Sequence, residues 1–156
     1  MHEGVDFLYE AVANSLEAGA KDISVKYYDE GNKVRVVVED DGTFTFNDDL
    51  FDEGTSSKPN HSGRGLYLLK ERCNGKVKIV NDGAKTQLRY EMEKDENYGR
   101  LRSILPLILA RVGDQADFMF EHIKDGKSQL LYSKDYRYLN ETETILKIRD
   151  IVQDWD

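Results

Sequence analysis

The sequence predicts an α/β (α+β) two-layer sandwich, in which helices cover one face of a mixed or antiparallel sheet. Three pairs of β-rich runs are each separated by a short turn that contains Asp and Gly, which is the pattern of β-hairpins. Segments with helical spacing of apolar residues lie before, between and after these pairs. Amphipathic helices alternating with hairpins can bury their apolar stripes against one sheet face, so these observations indicate a helix-on-sheet fold.

The first 94 residues are predicted to form one domain with the order α-β-β-loop-α-β-β. The predicted elements are a helix over 2–18, strands over 23–28 and 33–39, a helix over 65–73, and strands over 76–81 and 85–92. Gly19 is a suitable stop for the first helix. Residues 40–64 predict a long loop, with a short helical turn near 48–51, and loops of this length inside a domain are usually functional. We expect residues 52–64 to form a lid.

Residues 95–156 predict an α-β-β-α extension that could pack on the first domain. Its predicted elements are a helix over 98–112, strands over 117–123 and 128–133, and a helix over 141–155. Pro106 lies inside the first of these helices and predicts a kink or an interruption. The last helix has an apolar stripe that must be buried, formed by Ile145, Ile148, Val152 and Trp155. The extension could be a structural cap or an element that recognises a partner.

Composition excludes several classes of function. The 156 residues are 39% hydrophobic and 33% charged, with a formal net charge of −8. This acidity disfavours binding to nucleic acid or anionic membranes, because both need a surplus of Lys and Arg facing phosphates. No apolar run approaches the roughly 20 residues of a membrane-spanning helix. Cys73 is the only cysteine, which excludes an internal disulfide. We therefore expect a cytoplasmic protein.

Two polar side chains on the first predicted helix are candidates for phosphate chemistry. Glu10 and Asn14 are four residues apart, so they lie one turn apart on a face roughly opposite the apolar stripe. An Asn carbonyl is a suitable oxygen ligand for Mg²⁺. A carboxylate one turn away can polarise a water for attack on a phosphate. A solvated polar face is the alternative interpretation.

The ends of the predicted strands hold candidates for binding a base. Asp40 follows an apolar strand and precedes Gly42. A carboxylate there can accept a hydrogen bond from the exocyclic amine of adenine, and a nearby glycine lets the base approach the backbone. Thr86 could form a hydrogen bond near the base. The alternatives are a simple Asp-Asp-Gly turn and an ordinary strand threonine.

A glycine pair at the start of the predicted helix over 65–73 is a candidate for binding phosphate. Gly63 and Gly65 would let backbone N–H groups converge, and a helix start favours an anion. Lys58 and Arg64 could add positive charge. Loop glycines and exposed loop cations are the plainer interpretation of these residues.

Taken in order, three segments resemble the nucleotide-binding boxes of the Bergerat-fold ATPases, namely EAVANSLEAGA (10–20), VEDDG (38–42) and GRGLYLLK (63–70). That family includes gyrase, a class of heat-shock chaperones, histidine kinases and the MutL mismatch-repair proteins. The resemblance covers about residues 3–93. It is nearest to stand-alone histidine-kinase-like ATPase proteins, and it implies the Bergerat fold with ATP and Mg²⁺ as cofactors.

The resemblance also implies a role for each candidate residue. Glu10 would activate a water and Asn14 would be a magnesium ligand. Asp40 and Gly42 would recognise adenine, and Thr86 would be the contact from the last strand. The lid and the segment that joins it to the next helix would include Lys58, Gly63, Arg64, Gly65 and Leu66. One departure is Phe44, which stands where the adenine box normally has a second glycine and could narrow the base pocket.

Three functions follow from this resemblance. The first is an Mg-ATP-binding, histidine-kinase-like regulatory protein that phosphorylates or conformationally switches a protein partner. The second is a slow ATPase switch of the MutL or chaperone type, in which a homodimer could report the nucleotide state. The third is a degenerate interaction module without catalysis. Glu10 favours hydrolysis over pure phosphotransfer, because kinases of this fold more often have Asn at that position.

Overall fold

The computed structural model describes residues 3–43 and 65–156. The helices are α1 (Asp6–Glu17), α2 (Gly65–Arg72), α3 (Leu101–Val112) and α4 (Glu141–Val152). The strands are β1 (Asp22–Asp29), β2 (Lys33–Asp40), β3 (Val77–Asn81), β4 (Thr86–Glu93), β5 (Asp117–Lys124) and β6 (Lys127–Tyr132), and a 3₁₀ turn spans Ser133–Tyr136. The predicted α+β class with a mixed sheet is confirmed. The predicted turn near 48–51 and the lid over 52–64 lie outside the described residues.

The six strands form one sheet in the order β3-β4-β2-β1-β5-β6. Neighbouring strands are antiparallel, except that β1 and β5 run parallel along their full length. A parallel pair needs a long crossover connection. Here that connection includes β2, β3, β4 and two helices, so β1 and β5 are neighbours in space but distant in sequence.

One face of the sheet is buried and the other is largely polar. Alternate residues of the central strands point into the core, including Val25 on β1, Val36 on β2 and Phe120 on β5. They share one hydrophobic cluster with residues of α1, α3 and α4. The opposite face has exposed Lys26 and Arg89. This one-sided burial is compatible with a two-layer sandwich.

The extension joins the sheet and the core of the first 94 residues. Strands β5 and β6 continue the sheet beyond β1, while α3 packs on α1 and on α4. The single core cluster contains Leu8 and Val36 from the first part, and Leu105 and Ile148 from the second. Side chains from both parts of the chain thus lie in one continuous interior.

A buried polar group connects β1, β5 and the end of the chain. The Asp29 carboxylate accepts hydrogen bonds from the Gly31 backbone N–H and the Lys94 ammonium, both at 3.0 Å. Burial raises the pKa of Asp29, but these two donors outweigh it and the net shift is downward. His122 Nε2 lies 3.8 Å from Asp29 Oδ2, and burial lowers the pKa of this histidine. Trp155 stacks on the His122 ring with centroids 5.3 Å apart.

The structure excludes an interruption of the helix at Pro106, and it corrects the predicted end of the last helix. Pro106 does not interrupt α3, which runs continuously through this buried residue. Trp155 does not lie on the last helix, because α4 ends at Val152 and the chain then folds back over β5. That return brings the Asp156 carboxylate to the start of α3, where it accepts hydrogen bonds from the Leu101 and Arg102 N–H groups at 2.6 and 3.3 Å.

The helices that the structure describes are short. The longest have 12 residues, and none is long and apolar enough to cross a membrane.

A chain that ends after Lys94 tests how far the fold depends on the extension. We expect it to lose cooperative unfolding and to aggregate, because β1 would become an edge strand and the α1 face that packs on α3 would be exposed. Circular dichroism melting and an amide NMR spectrum, with the full chain as control, would measure this. A truncated protein with a sharp melting transition and dispersed amide signals would contradict it.

Candidate functional site

A small pocket lies where α1, the end of β2, the start of β4 and the start of α2 meet. Its volume is about 50 Å³. The lining residues are Ala11, Asn14, Ser15, Ala18, Val38, Asp40, Leu66, Ile79, Thr86 and Leu88. Four of these were predicted as site residues from the sequence, namely Asn14, Asp40, Leu66 and Thr86.

The pairing of β2 with β4 brings two of these residues together. Asp40 and Thr86 are directly opposite each other in the antiparallel register, at the end of β2 and the first position of β4. Both side chains border the pocket. The sequence predicted both strands but not that they pair with each other, because the intervening α2 and β3 could have been accommodated by other sheet orders.

The Asp40 carboxylate is held by two donors from different elements. The Ser15 hydroxyl, on α1, donates to Oδ2 at 2.6 Å, and the Gly42 backbone N–H donates to Oδ1 at 2.9 Å. Ser15 is buried. A carboxylate can accept about four hydrogen bonds, so Asp40, which borders the pocket, keeps unused acceptor capacity. The two hydrogen bonds therefore orient the Asp40 carboxylate and still leave it able to accept others.

Thr86 supplies a hydroxyl next to Asp40 at the border of the pocket. This residue is buried, and its Oγ1 accepts a hydrogen bond from Asn81 Nδ2 at 2.8 Å. Asn81 Oδ1 in turn accepts from the Gly83 backbone N–H at 2.7 Å. The hairpin turn between β3 and β4 thus supports the threonine from outside the pocket.

The position of Asn14 on α1 differs from the expected one. Buried residues of α1 include Phe7, Ala11 and Ser15, so the buried face is wider than the predicted stripe. Asn14 is half-buried at the border of this face and lines the pocket. The prediction that Asn14 lies opposite the buried stripe is wrong, because small residues such as Ala11 and Ser15 also pack inward.

Glu10 lies one turn before Asn14 and does not line the pocket. It is half-buried and close enough to Tyr90 for its charge to act on that residue. Burial is the main cause of the strongly raised pKa of Tyr90, and the negative charge of Glu10 contributes. The structure thus places Glu10 next to the pocket residues rather than among them.

Gly42 allows the loop after β2 to approach the end of α1 closely. A Cβ atom there would lie 3.0 Å from both the Cβ and the carbonyl oxygen of Ala18. The neighbouring Thr43 N–H donates to the same carbonyl at 2.9 Å. The Asp41 carboxylate accepts from the Asp22 and Lys21 N–H groups, which hold its pKa below the usual range. These contacts fix the loop against the helix end.

The remaining predicted site residues divide into two groups. Gly65 is the first residue of α2, and outside its own helix no atom of the described residues would lie within 4 Å of a Cβ placed on it. Leu66 borders the pocket. Lys58, Gly63 and Arg64 lie outside the described residues, as does Phe44.

Several residues of the site were missed from the sequence. Ser15 directly follows Asn14, and its position one helical turn after Ala11 would have indicated an inward side chain. Asn81 begins the Asn-Asp-Gly turn, and an Asn at that position commonly accepts from a backbone N–H two residues later. The apolar residues of the pocket walls follow the ordinary alternation of strand residues, so nothing in the sequence marked them as part of a site.

Two larger hollows are less suited to a ligand. One, of about 730 Å³, lies near α2 and the ends of β2 and β4, and the other, of about 390 Å³, lies on the polar side of the sheet. Several of their charged groups form ion pairs within the protein. The pairs are Arg72–Asp95, Lys33–Glu91, Lys76–Glu91, Lys85–Glu39 and Arg137–Asp117.

The small pocket combines apolar walls with one acceptor and one hydroxyl. Such a lining fits a flat heterocycle that carries both a donor and an acceptor on one edge. Asn14 is the nearest candidate ligand for a metal. Within residues 3–43 and 65–156, no group of three or more His, Cys, Asp or Glu side chains could hold a metal ion. A magnesium ion that keeps phosphate oxygens and waters as ligands does not require such a group.

The chain matches no family model and no curated protein.

Alanine substitution of Gly42 and of Gly65 tests which of these two glycines is required by close packing. We expect Gly42→Ala to destabilise the protein by about 1–3 kcal/mol, because its Cβ would meet the backbone of Ala18. Gly65→Ala is the matched control and should leave stability equal or slightly higher, since alanine is the better helix former. Thermal unfolding followed by circular dichroism measures both. Equal melting temperatures for the two variants would show that Gly42 does not act through this contact.

Proposed function

We propose that this chain is an Mg-ATP-binding regulatory protein of the Bergerat, histidine-kinase-like type. The observation that supports this most is the convergence of Asp40, Thr86 and Asn14 on one pocket with apolar walls. These residues are far apart in sequence. They are also the ones that the resemblance assigns to the base and the metal.

In this proposal the adenine base enters between the apolar walls. Its 6-amino group donates to Asp40, whose carboxylate is already oriented by Ser15 and Gly42. A ring nitrogen of the base accepts from the Thr86 hydroxyl. The pocket of about 50 Å³ is smaller than the roughly 300–1,000 Å³ of typical ligand sites, so it must widen to admit the base.

The phosphates would extend along α1 toward the start of α2. The Asn14 carbonyl would hold Mg²⁺, which neutralises phosphate charge. The Gly63–Gly65 segment would present backbone N–H groups, and Lys58 and Arg64 would add positive charge. Leu66 would pack beside the nucleotide.

Glu10 is the group proposed to activate a water or an acceptor hydroxyl. It lies one turn from Asn14 and is half-buried, so its carboxylate is close to the proposed phosphate site. Release of inorganic phosphate from the isolated chain would favour the ATPase switch. Transfer of labelled phosphate only when a protein partner is present would favour the kinase. Absence of both, with ATP bound, would favour the degenerate module.

Calorimetry of the intact chain at millimolar nucleotide tests the proposed site. We expect Mg-ATP to bind, Asp40→Asn to remove the preference for adenine, and Asn14→Ala to remove the magnesium dependence of affinity. Each change should weaken binding about tenfold or more, because Asp40→Asn removes a hydrogen bond to a charged group and Asn14→Ala removes an oxygen ligand of the metal. Asp114→Asn, at an exposed position away from the pocket, is the control for charge. No heat of binding for either ATP or ADP would refute the proposal.

We further propose that residues 95–156 transmit the nucleotide state to a protein partner. Helix α1, which carries Asn14, packs on α3 of the extension. In the described part of the chain, every exposed large hydrophobic residue lies in the extension, namely Leu107, Leu130, Tyr132, Tyr138 and Leu146. Such residues are available for contact with a partner or with a second copy of the chain.

The single tryptophan allows this transmission to be measured in the intact protein. Trp155 is buried in the extension, stacked on Phe120 and His122. We expect saturating Mg-ATP to shift its fluorescence emission, and Asp40→Asn to abolish the shift at the same nucleotide concentration. If calorimetry shows binding while the emission spectrum stays unchanged, the nucleotide does not alter the packing of the extension.

A further inference from the structure

The hydrogen bonds around Asn81 have only one possible direction. The Gly83 backbone N–H can only donate, so the Asn81 side-chain atom 2.7 Å from it must be the oxygen. The amide nitrogen therefore faces Thr86. That nitrogen can only donate, and it lies 2.8 Å from Thr86 Oγ1. The threonine hydroxyl is thus an acceptor in this contact, whatever the assignment of amide atoms elsewhere.

The proton of the Thr86 hydroxyl must then point elsewhere. Thr86 is buried and borders the pocket, directly across the β2–β4 ladder from Asp40. Among the described residues, the Asn81 amide is its only side-chain hydrogen-bond partner. A hydroxyl has a single proton that rotates about the Cβ–Oγ1 bond. Because the Asn81 amide cannot accept it, this proton is available to an acceptor on the pocket side.

We propose that Asn81 is a positioning residue that makes Thr86 a donor toward the pocket and thereby selects adenine over guanine. This inference rests on the proposed nucleotide site. The pocket then presents a fixed acceptor, Asp40, beside a fixed donor, Thr86. Adenine offers the complementary order on its edge, with a donating 6-amino group next to an accepting N1. Guanine offers the reverse, an accepting O6 next to a donating N1–H.

Replacement of the Asn81 amide by a carboxylate should reverse the threonine. In Asn81→Asp, one oxygen still accepts from the Gly83 N–H, and the other can only accept from Thr86. The hydroxyl proton would then point to the turn, and its lone pairs would face the pocket. A site whose polar groups match the edge of one base binds another base poorly, because those polar groups are then left unpaired. The selectivity between adenine and guanine should therefore change even if the fold does not.

The experiment measures the ratio of ATP to GTP affinity at pH 7.5 by calorimetry. We expect Asn81→Asp to lower this ratio by about tenfold or more, the value of one hydrogen bond of about 1.4 kcal/mol. Asn81→Ala, which frees the hydroxyl to rotate, should give an intermediate ratio. It also serves as the second variant if Asn81→Asp does not fold. In a Thr86→Val background, Asn81→Asp should not change the ratio further.

Asn74→Asp is the matched control for added charge, because Asn74 is exposed in the turn after α2 and away from the pocket. Its ratio should equal that of the wild type. If Asn81→Asp keeps the wild-type ratio of ATP to GTP affinity while Thr86→Val changes it, Thr86 contributes to selectivity but Asn81 does not position it. An equal fall in Asn74→Asp would also overturn the role of Asn81. If the wild type binds neither nucleotide, the proposed function fails and this inference fails with it.

Discussion

Strand β1 pairs with β2 on one side and with β5 on the other, and both pairings run along its full length. This double pairing places residues from the two halves of the chain in one sheet, so that a single apolar face needs helices from both halves to cover it. Helix α1 covers part of that face, and α3, α4 and Leu69 of α2 contribute to the same core. Burial of one continuous face is the main favourable term, since hydrophobic stabilisation follows the apolar area removed from water.

The same constraint determines which polar groups can lie inside. Asp29 ends β1 within the covered region, and its charge is compensated by the Lys94 ammonium and the Gly31 N–H. An unpaired carboxylate at this depth would be strongly destabilising. Trp155 and His122 stack above it, so the end of the chain closes the core at the same place. Residue Lys94, at the junction between the two parts, thus contributes to the interior that they share.

At the opposite end of the sheet, polar groups are arranged around a pocket. Asp40 is bound from α1 by Ser15 and from its own turn by Gly42, while Thr86 is bound from the hairpin by Asn81. Asp40 keeps acceptor capacity, Thr86 keeps its hydroxyl proton, and both residues border the pocket. An acceptor and a donor held from behind lose little freedom when a ligand binds, and this preorganisation is the physical basis of the proposed selectivity.

The sequence by itself determined the local elements, since helical and strand periodicities depend on residues that are close along the chain. It predicted all four described helices and all six strands, and also the polar residues Asn14, Asp40 and Thr86. It did not determine the order of strands, the parallel pairing of β1 with β5, or the return of Trp155 over β5. These depend on contacts between distant residues, whose energies are decided by how the whole apolar face is covered. For the same reason only the tertiary structure placed Asp40 opposite Thr86, turned Asn14 to the edge of the buried face, and showed that Ser15 and Asn81 orient the two groups of the pocket.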